Sequence, residues 1–137
     1  MITKTDLMRY RLEQARECLH TAEATVDVSM KNAANRSYYC IFHAMRAVLA
    51  LDEFDSKKHS GIISYFRQNY IKTGKFKADF SKTIAKAFEV RGGSDYQDFY
   101  VVSKPEVLEQ IENAKLFLEA VEAYINTLPE DENNANP

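Results

Sequence analysis

Apolar residues recur at helical spacing along most of the chain, and the pattern predicts almost no other secondary structure. In the first segment, for example, Leu12, Leu19 and Val26 follow one another every seven residues. Before the last segment, Ser103 and Glu106 have the spacing of a capping box. Helices are predicted from about Thr5 to Asp27, Lys31 to Leu51, Lys58 to Ile71, Ala78 to Val90, and Ser103 to Leu128.

Long helices joined by short connections are typical of an antiparallel bundle. The predicted fold is therefore all-α, an up-and-down bundle of four to five helices, formed by residues 1–128 as one domain. Residues 129–137 begin with Pro129 and are acidic and rich in asparagine, so we expect a disordered tail there.

The second predicted helix carries apolar residues on more than one side. Such a helix is covered by neighbours on several sides, which we expect to be its own bundle and a second subunit. The residues concerned are Ala34, Tyr38, Ile41, Phe42, Met45, Val48 and Leu49.

Composition limits the classes of function. No apolar run approaches the roughly 20 residues that span a bilayer, so we expect no membrane partner. Cys18 and Cys40 lie far apart and outside any metal-binding spacing, which favours buried thiols in a reducing cytoplasm and predicts neither a metal nor another cofactor.

Charge is distributed unevenly although the net charge is only −2. Residues 57–91 carry nine Lys and Arg against two acidic residues, a net of +7, whereas residues 92–137 carry two Lys against ten acidic residues, a net of −8. The basic segment indicates either an anionic ligand or partner, or two complementary surfaces of a dimer. The pattern leaves both open.

Arg91 stands before two glycines, in the run Arg91-Gly92-Gly93-Ser94-Asp95-Tyr96. Adjacent glycines favour a helix end, so we predict that Arg91 lies at the mouth of a loop that continues to Val102. There the planar guanidinium can bind phosphate, or it can pair with Asp95 and hold the loop in place.

His43 is a candidate for acid–base chemistry. Arg36 and His43 are seven residues apart in one predicted helix, which places them on one face about 10 Å apart along the axis. If that face meets Arg91, His43 can serve as a catalytic imidazole. The alternative is a histidine that is hydrogen-bonded within the core or an interface.

His59 has two interpretations of its own. It follows Lys58 near a predicted helix start, where backbone N–H groups attract anions, or it is a capping or simply exposed residue. Tyr38 and Tyr39 are expected to be packing aromatics, with one hydroxyl reaching the Arg91 loop.

Three segments stand out in order along the chain, residues 34–44 (ANRSYYCIFHA), 58–61 (KHSG) and 91–96 (RGGSDY). Together they resemble the HEPN family (higher eukaryotes and prokaryotes nucleotide-binding domains) over about Leu7 to Tyr124. The resemblance implies a helical bundle that dimerises. In active members an Arg-x(4–6)-His motif from each subunit meets across the dimer and cleaves RNA without metal. Such proteins are often toxins encoded beside a minimal nucleotidyltransferase that acts as antitoxin, and other members bind nucleotides or serve as scaffolds.

The chain departs from the active motif because Tyr96 stands where histidine is expected after Arg91. A phenol with an ordinary pKa of about 10 is a poor base at neutral pH, although it can orient phosphate or act as an acid. By analogy with family pairs, Tyr96 and Tyr100 are candidates for modification by the transferase. The candidate catalytic residues are Arg91, Tyr96 and His43, and the candidate binding residues are Arg36, Lys58, His59 and Asp95.

Two functions therefore remain open at this point. One is the toxin-like half of a toxin–antitoxin-like pair, a homodimer that binds or cleaves RNA or nucleotides. The other is a non-catalytic dimeric module that docks a nucleotidyltransferase or senses a nucleotide.

Overall fold

The structure, a computed structural model, describes residues 1–96 and 101–129, and the side chains of residues 94–96 lie outside the described part. These residues form five α-helices and no strand, which confirms the predicted all-α bundle. The helices are α1 (Lys4–Thr25), α2 (Met30–Leu51), α3 (His59–Phe66) with a π-helical turn (Arg67–Ile71), α4 (Asp79–Tyr96) and α5 (Lys104–Asn126).

Side-chain caps fix three of the helix starts. Thr3 accepts from the backbone N–H of Asp6 in a capping box at α1, and the Ser29 hydroxyl caps α2. The predicted box of Ser103 and Glu106 is present at α5. Each cap satisfies backbone N–H groups that have no partner inside the helix.

The central helix is α2, which packs against α1, α3, α4 and α5. All seven of its predicted core residues are buried. Neighbours in the same chain account for this burial, so no second subunit is needed to explain the apolar character of α2.

The prediction that Gly92 and Gly93 end the fourth helix is wrong, because α4 continues to Tyr96. Glycine permits a left-handed cap but does not require one. Among glycines in the described ranges, only Gly74 has a positive φ, of 83°. Val90 and Gly93 are buried, and this packing offsets the low helix propensity of glycine. Arg91 therefore lies within a helix and not at the mouth of a loop.

Two smaller predictions also need correction. The third helix is α-helical only to Phe66, and its last turn, Arg67–Ile71, is π-helical. The helical spacing of apolar residues in the fourth predicted segment also predicts a buried Phe88, but this residue is 42% exposed. Of the predicted loop, residues 97–100 lie outside the described residues, as do residues 130–137 of the predicted tail.

Candidate functional site

Arg91 on α4 is held against two neighbouring tyrosines of α2. Its guanidinium carbon lies 5.3 Å from the ring centroid of Tyr38 and 5.4 Å from that of Tyr39. Its Nη2 donates a hydrogen bond of 3.2 Å to the Tyr39 hydroxyl, which confirms that one hydroxyl of the pair reaches Arg91. Attraction between the cation and the ring faces fixes the guanidinium in a half-buried position.

His59, the first residue of α3, reaches the same pair of tyrosines. Its Nδ1 lies 2.8 Å from the Tyr38 hydroxyl oxygen, and its ring stacks on Phe42 with centroids 4.2 Å apart. The ring of Tyr39 meets it edge-on at 5.8 Å. The interpretation of His59 as a simply exposed residue is therefore wrong.

Gly61 allows the loop before α3 to pack closely against the first turn of this helix. A Cβ at position 61 would overlap the Ser56 hydroxyl and lie 2.9 Å from the Ser56 Cβ. The Ser56 hydroxyl in turn accepts from the backbone N–H of Lys58, the residue that immediately precedes α3. The sequence Lys58-His59-Ser60-Gly61 thus sets the direction from which His59 enters the bundle.

Side chains from three helices therefore meet at one point, with Tyr38 and Tyr39 between an arginine and a histidine. We call this cluster, formed by Arg91, His59, Tyr38, Tyr39 and Phe42, the Arg91–His59 site. Its aromatic rings come from two adjacent turns of α2, which is the helix that all the others surround.

The electrostatics of the site keep His59 neutral and Tyr38 protonated. Burial lowers the pKa of His59, and the charges of Arg91 and Arg46 lower it further. Burial raises the pKa of Tyr38 well above its usual range, while Arg91 opposes that shift. The tautomer of His59 decides the direction of its hydrogen bond with Tyr38. When Tyr38 donates to Nδ1, Nε2 carries a proton and is a donor, and when Nδ1–H donates to the Tyr38 oxygen, Nε2 is a base.

His43 lies beside the Arg91–His59 site on the same face of α2 as Tyr39. Its ring centroid is 5.9 Å from that of Tyr39 and 6.0 Å from that of Phe42. Burial lowers the pKa of His43 to about 4, and nearby arginine charges, first that of Arg46, add to the shift. Its Nδ1 is buried without a hydrogen-bond partner among the residues that the structure describes. His43 is therefore neutral at physiological pH and is a weak base.

Arg36 shares a face with His43, as predicted, but it lies at the other end of that face, beside α1. It is exposed, and its guanidinium neighbours the thiol of Cys18, whose pKa is raised by burial and lowered by Arg36. Arg36 therefore belongs to the edge of the site and not to its centre. The two cysteines are buried free thiols.

A pocket of about 630 Å³ opens next to His59. Arg46 and Asp55 line it, and Asp55 Oδ2 accepts from Arg46 at 3.1 Å and from the buried Arg11 at 3.3 Å. This carboxylate therefore ties the loop before α3 to α1 and α2. Lys58 is exposed at the start of α3 and makes no side-chain capping bond.

The remaining predicted site residues lie outside the described part. They are the side chains of Asp95 and Tyr96, together with Tyr100, so the predicted Arg91–Asp95 pair stays a prediction. Within the described residues, no group of three or more His, Cys, Asp or Glu is arranged to hold a metal ion. None of the helices in that part is long and apolar enough to cross a membrane.

Comparison with known proteins identifies the family. The model of the HEPN domain matches residues 8–124, which is most of the chain. The chain belongs to the HEPN family. The resemblance that the three sequence segments suggested is thereby confirmed.

Relatives of this HEPN protein include proteins named as toxins. A UPF0332 protein from Thermotoga maritima is 32% identical over 129 residues, which cover 93% of this chain and 98% of the relative. The protein named "Putative toxin MJ0142" from Methanocaldococcus jannaschii is 27% identical over 115 residues, 83% of this chain and 78% of the relative. A second protein of that organism, "Putative toxin MJ0605", is 30% identical over 86 residues, 62% of this chain and 64% of the relative.

The sequence offered His43 as the imidazole that works with Arg91, and that assignment stays a prediction. In the structure His59 is hydrogen-bonded to Tyr38, one of the two tyrosines that hold Arg91, whereas the His43 ring lies 5.9 Å from that of Tyr39. Residues 38–42 and 58–61 both belong to the segments that carry the family resemblance, and this was the only hint in the sequence that His59 lies near Tyr38. Their contact depends on how α3 packs on α2. Phe42 and Arg46 were not recognised as site residues because aromatic and basic positions are common on any packed helix.

Proposed function

We propose that this HEPN protein is a toxin that acts on RNA through the Arg91–His59 site. The observation that carries the proposal is the hydrogen bond between His59 and Tyr38, because it places an imidazole against the tyrosine pair that holds Arg91. The imidazole from α3 takes the place of the motif histidine that Tyr96 replaces. Two relatives are named as putative toxins, which supports the proposal that this protein is a toxin.

Arg91 would bind the phosphodiester. Its guanidinium is planar and permanently charged, which suits the oxygens of a phosphate, and the two tyrosine rings restrict its orientation. Arg46, in the pocket beside His59, adds positive charge along the path that the RNA backbone would follow. Binding of this kind is sensitive to salt, because cations that contact phosphates displace counterions.

His59 would activate the ribose hydroxyl. In the tautomer whose Nδ1 donates to the Tyr38 oxygen, Nε2 takes the proton of the 2′-hydroxyl. The 2′-oxygen then bonds to phosphorus, the bond from phosphorus to the 5′-oxygen breaks, and the 5′-oxygen takes a proton from water. Arg91 stabilises the negative charge that develops on the phosphate oxygens. The products are a 2′,3′-cyclic phosphate and a 5′-hydroxyl end.

The partners expected from the family belong to the same proposal. A toxin requires an antitoxin, and a minimal nucleotidyltransferase is the partner that the family resemblance suggests. A homodimer would bring two Arg91–His59 sites together, and Tyr96 and Tyr100 would be the residues that the transferase modifies. Co-purification from cells that express both genes, followed by mass spectrometry of the peptide that contains both tyrosines, tests this part.

The direct test separates binding from cleavage. A labelled single-stranded RNA is titrated with the purified protein, and its ends are analysed after incubation. We expect Arg91→Ala to weaken binding about tenfold or more, the usual loss for a charged hydrogen bond, and His59→Gln to retain binding but abolish the cyclic phosphate product. Lys82→Ala removes one exposed positive charge from the same helix and serves as the matched control.

Each outcome has a definite meaning. If Lys82→Ala weakens RNA binding as much as Arg91→Ala does, general positive charge, and not Arg91 in particular, binds the RNA. If folded Arg91→Ala binds as the wild type does, the proposed site is wrong. If the wild type binds no RNA, the docking-module hypothesis replaces the RNA-directed one.

A further inference from the structure

A second cleft lies along α4 on the N-terminal side of Arg91, and the ring of Phe88, which lines it, lies 5.8 Å from that of Tyr38. It has a volume of about 610 Å³ and runs between α3 with its π-helical turn on one side and α4 on the other. This volume falls in the range of small-molecule sites. The Arg91–His59 site does not include any residue that lines this cleft.

Apolar side chains form most of the cleft surface. Ile63 and Ile84 are buried at its base, and the ring of Phe88, 42% exposed, lies along its side. An exposed phenylalanine beside buried isoleucines offers a flat apolar surface on which a ligand can pack. A strongly polar ligand, such as a nucleotide, would gain little from this lining.

Arg67 places a positive charge at the same cleft. Its Nη2 donates to the backbone carbonyl of Ser81 across the cleft at 3.1 Å. Its Nε is buried and makes no hydrogen bond within the described residues. No carboxylate pairs with the Arg67 guanidinium among the described residues, so an acidic group in the cleft would supply a counter-charge to it.

The backbone at Arg67 is unusual as well. Arg67 begins the π-helical turn that ends at Ile71, and both of these residues line the cleft. Turns of this kind occur mostly as single insertions in α-helices and are frequent at functional sites. Lys72 follows at the cleft edge, and Glu89 is the only acidic residue among those that line it.

We propose that this cleft binds a small aromatic acid, with its apolar body against Phe88 and the isoleucines and its carboxylate on Arg67. The charge of the cleft selects an anion, and its apolar lining selects an aromatic body over a sugar phosphate. This proposal is independent of RNA action, because no residue of the cleft takes part in it.

Naphthoate and neutral naphthylmethanol are a suitable pair of probes, since they differ mainly in charge. We expect naphthoate to bind with a dissociation constant on the order of 100 µM, as is ordinary for a ligand of that size, and at least tenfold more tightly than the alcohol. The amide NMR signals of Ser64, Ala85 and Phe88 should shift as naphthoate is added.

Two variants and a control complete the test. Arg67→Met should reduce the preference for the acid to less than about threefold, and Ala85→Trp, which fills the cleft from an exposed position of α4, should abolish binding of both probes. Ala123→Trp places the same bulk in a different cleft, between α5 and the segment from Lys75 to Phe80, and should leave binding unchanged.

The outcomes that overturn the proposal are equally clear. Naphthoate that binds folded Ala85→Trp as well as it binds the wild type would exclude this cleft. Equal affinity of the wild type for acid and alcohol would exclude the anionic class of ligand. Absence of saturable naphthoate binding to the wild type would overturn the proposal outright.

Discussion

The hydroxyl of Tyr38 and Nδ1 of His59 form a hydrogen bond of 2.8 Å although the residues are 21 positions apart in the chain. Tyr38 is fully buried in the central helix, whereas His59 opens the next helix. The bond therefore joins α2 to the first turn of α3 at the place where Arg91 of α4 also arrives. Side chains of all three helices therefore meet at Tyr38, since His59 contacts its hydroxyl and Arg91 lies over its ring.

Removal of this hydroxyl should weaken the fold slightly and release His59. We expect Tyr38→Phe to lower the free energy of unfolding by about 1 kcal/mol, the usual net contribution of one hydrogen bond. Denaturant unfolding measures the change. Tyr10→Phe, at an exposed position of α1, is the matched control and should have no effect. Equal stability of Tyr38→Phe and the wild type would show that the bond contributes nothing.

The charge of Arg91 should be detectable in the titration of His59. Because burial, Arg91 and Arg46 all lower the pKa of His59, Arg91→Gln should raise that pKa toward its ordinary value. The imidazole proton signals in an NMR titration report the change directly. Lys82→Gln removes a charge from the same helix and should leave the titration of His59 unchanged. A pKa of His59 that is the same in Arg91→Gln as in the wild type would contradict the electrostatic contact.

Stability should fall as pH falls from about 6.5 to about 4. His43 has a pKa of about 4 in the folded protein and an ordinary value of 6.5 when unfolded, so the unfolded chain binds more protons in this window. A full shift would be worth about 3 kcal/mol, but His43 is only partly buried, so we expect about 1–2 kcal/mol. His59 contributes in the same direction, since its pKa is also lowered.

The test compares the free energy of unfolding at the two ends of that pH window in three proteins. His43→Gln should reduce the pH dependence relative to the wild type, and His20→Gln, at an exposed position, should leave it unchanged. If the free energy of unfolding changes equally with pH in His43→Gln and in the wild type, the lowered pKa of His43 is contradicted.

Gly92 should tolerate a side chain. It lies inside α4, and a Cβ there would meet no heavy atom within 4 Å. Because alanine has a higher helix propensity, Gly92→Ala should stabilise the protein by about 0.5–1 kcal/mol. Thermal or denaturant unfolding measures the gain. Destabilisation would indicate that the helix does end before Gly92, as the sequence alone predicted.

The helices of this protein could largely be predicted from the sequence, because their cause is local. The seven-residue recurrence of Leu12 and Leu19 and the capping box of Ser103 require only neighbours along the chain. The prediction of a helix end at Gly92 and Gly93 was wrong because glycine lowers the free-energy cost of ending a helix but does not require an end. The packing of α4 decides whether the helix ends there.

The site was only partly predictable. Arg91 was recognised from its position before two glycines and then from the family motif, and the reach of a tyrosine hydroxyl toward it is confirmed by Tyr39. The pairing of His59 with Tyr38 depends on the angle at which α3 packs on α2, which no local pattern encodes. For the same reason the sequence favoured His43, whose position on α2 was clear, over His59.

Growth of a bacterial culture after induction of this protein alone tests the central claim most directly. At matched soluble levels, the account predicts arrest by the wild type, by His43→Gln and by Lys82→Ala, and normal growth with Arg91→Ala and with His59→Gln. Arrest that persists undiminished in soluble Arg91→Ala and His59→Gln would contradict the Arg91–His59 site as the source of toxicity.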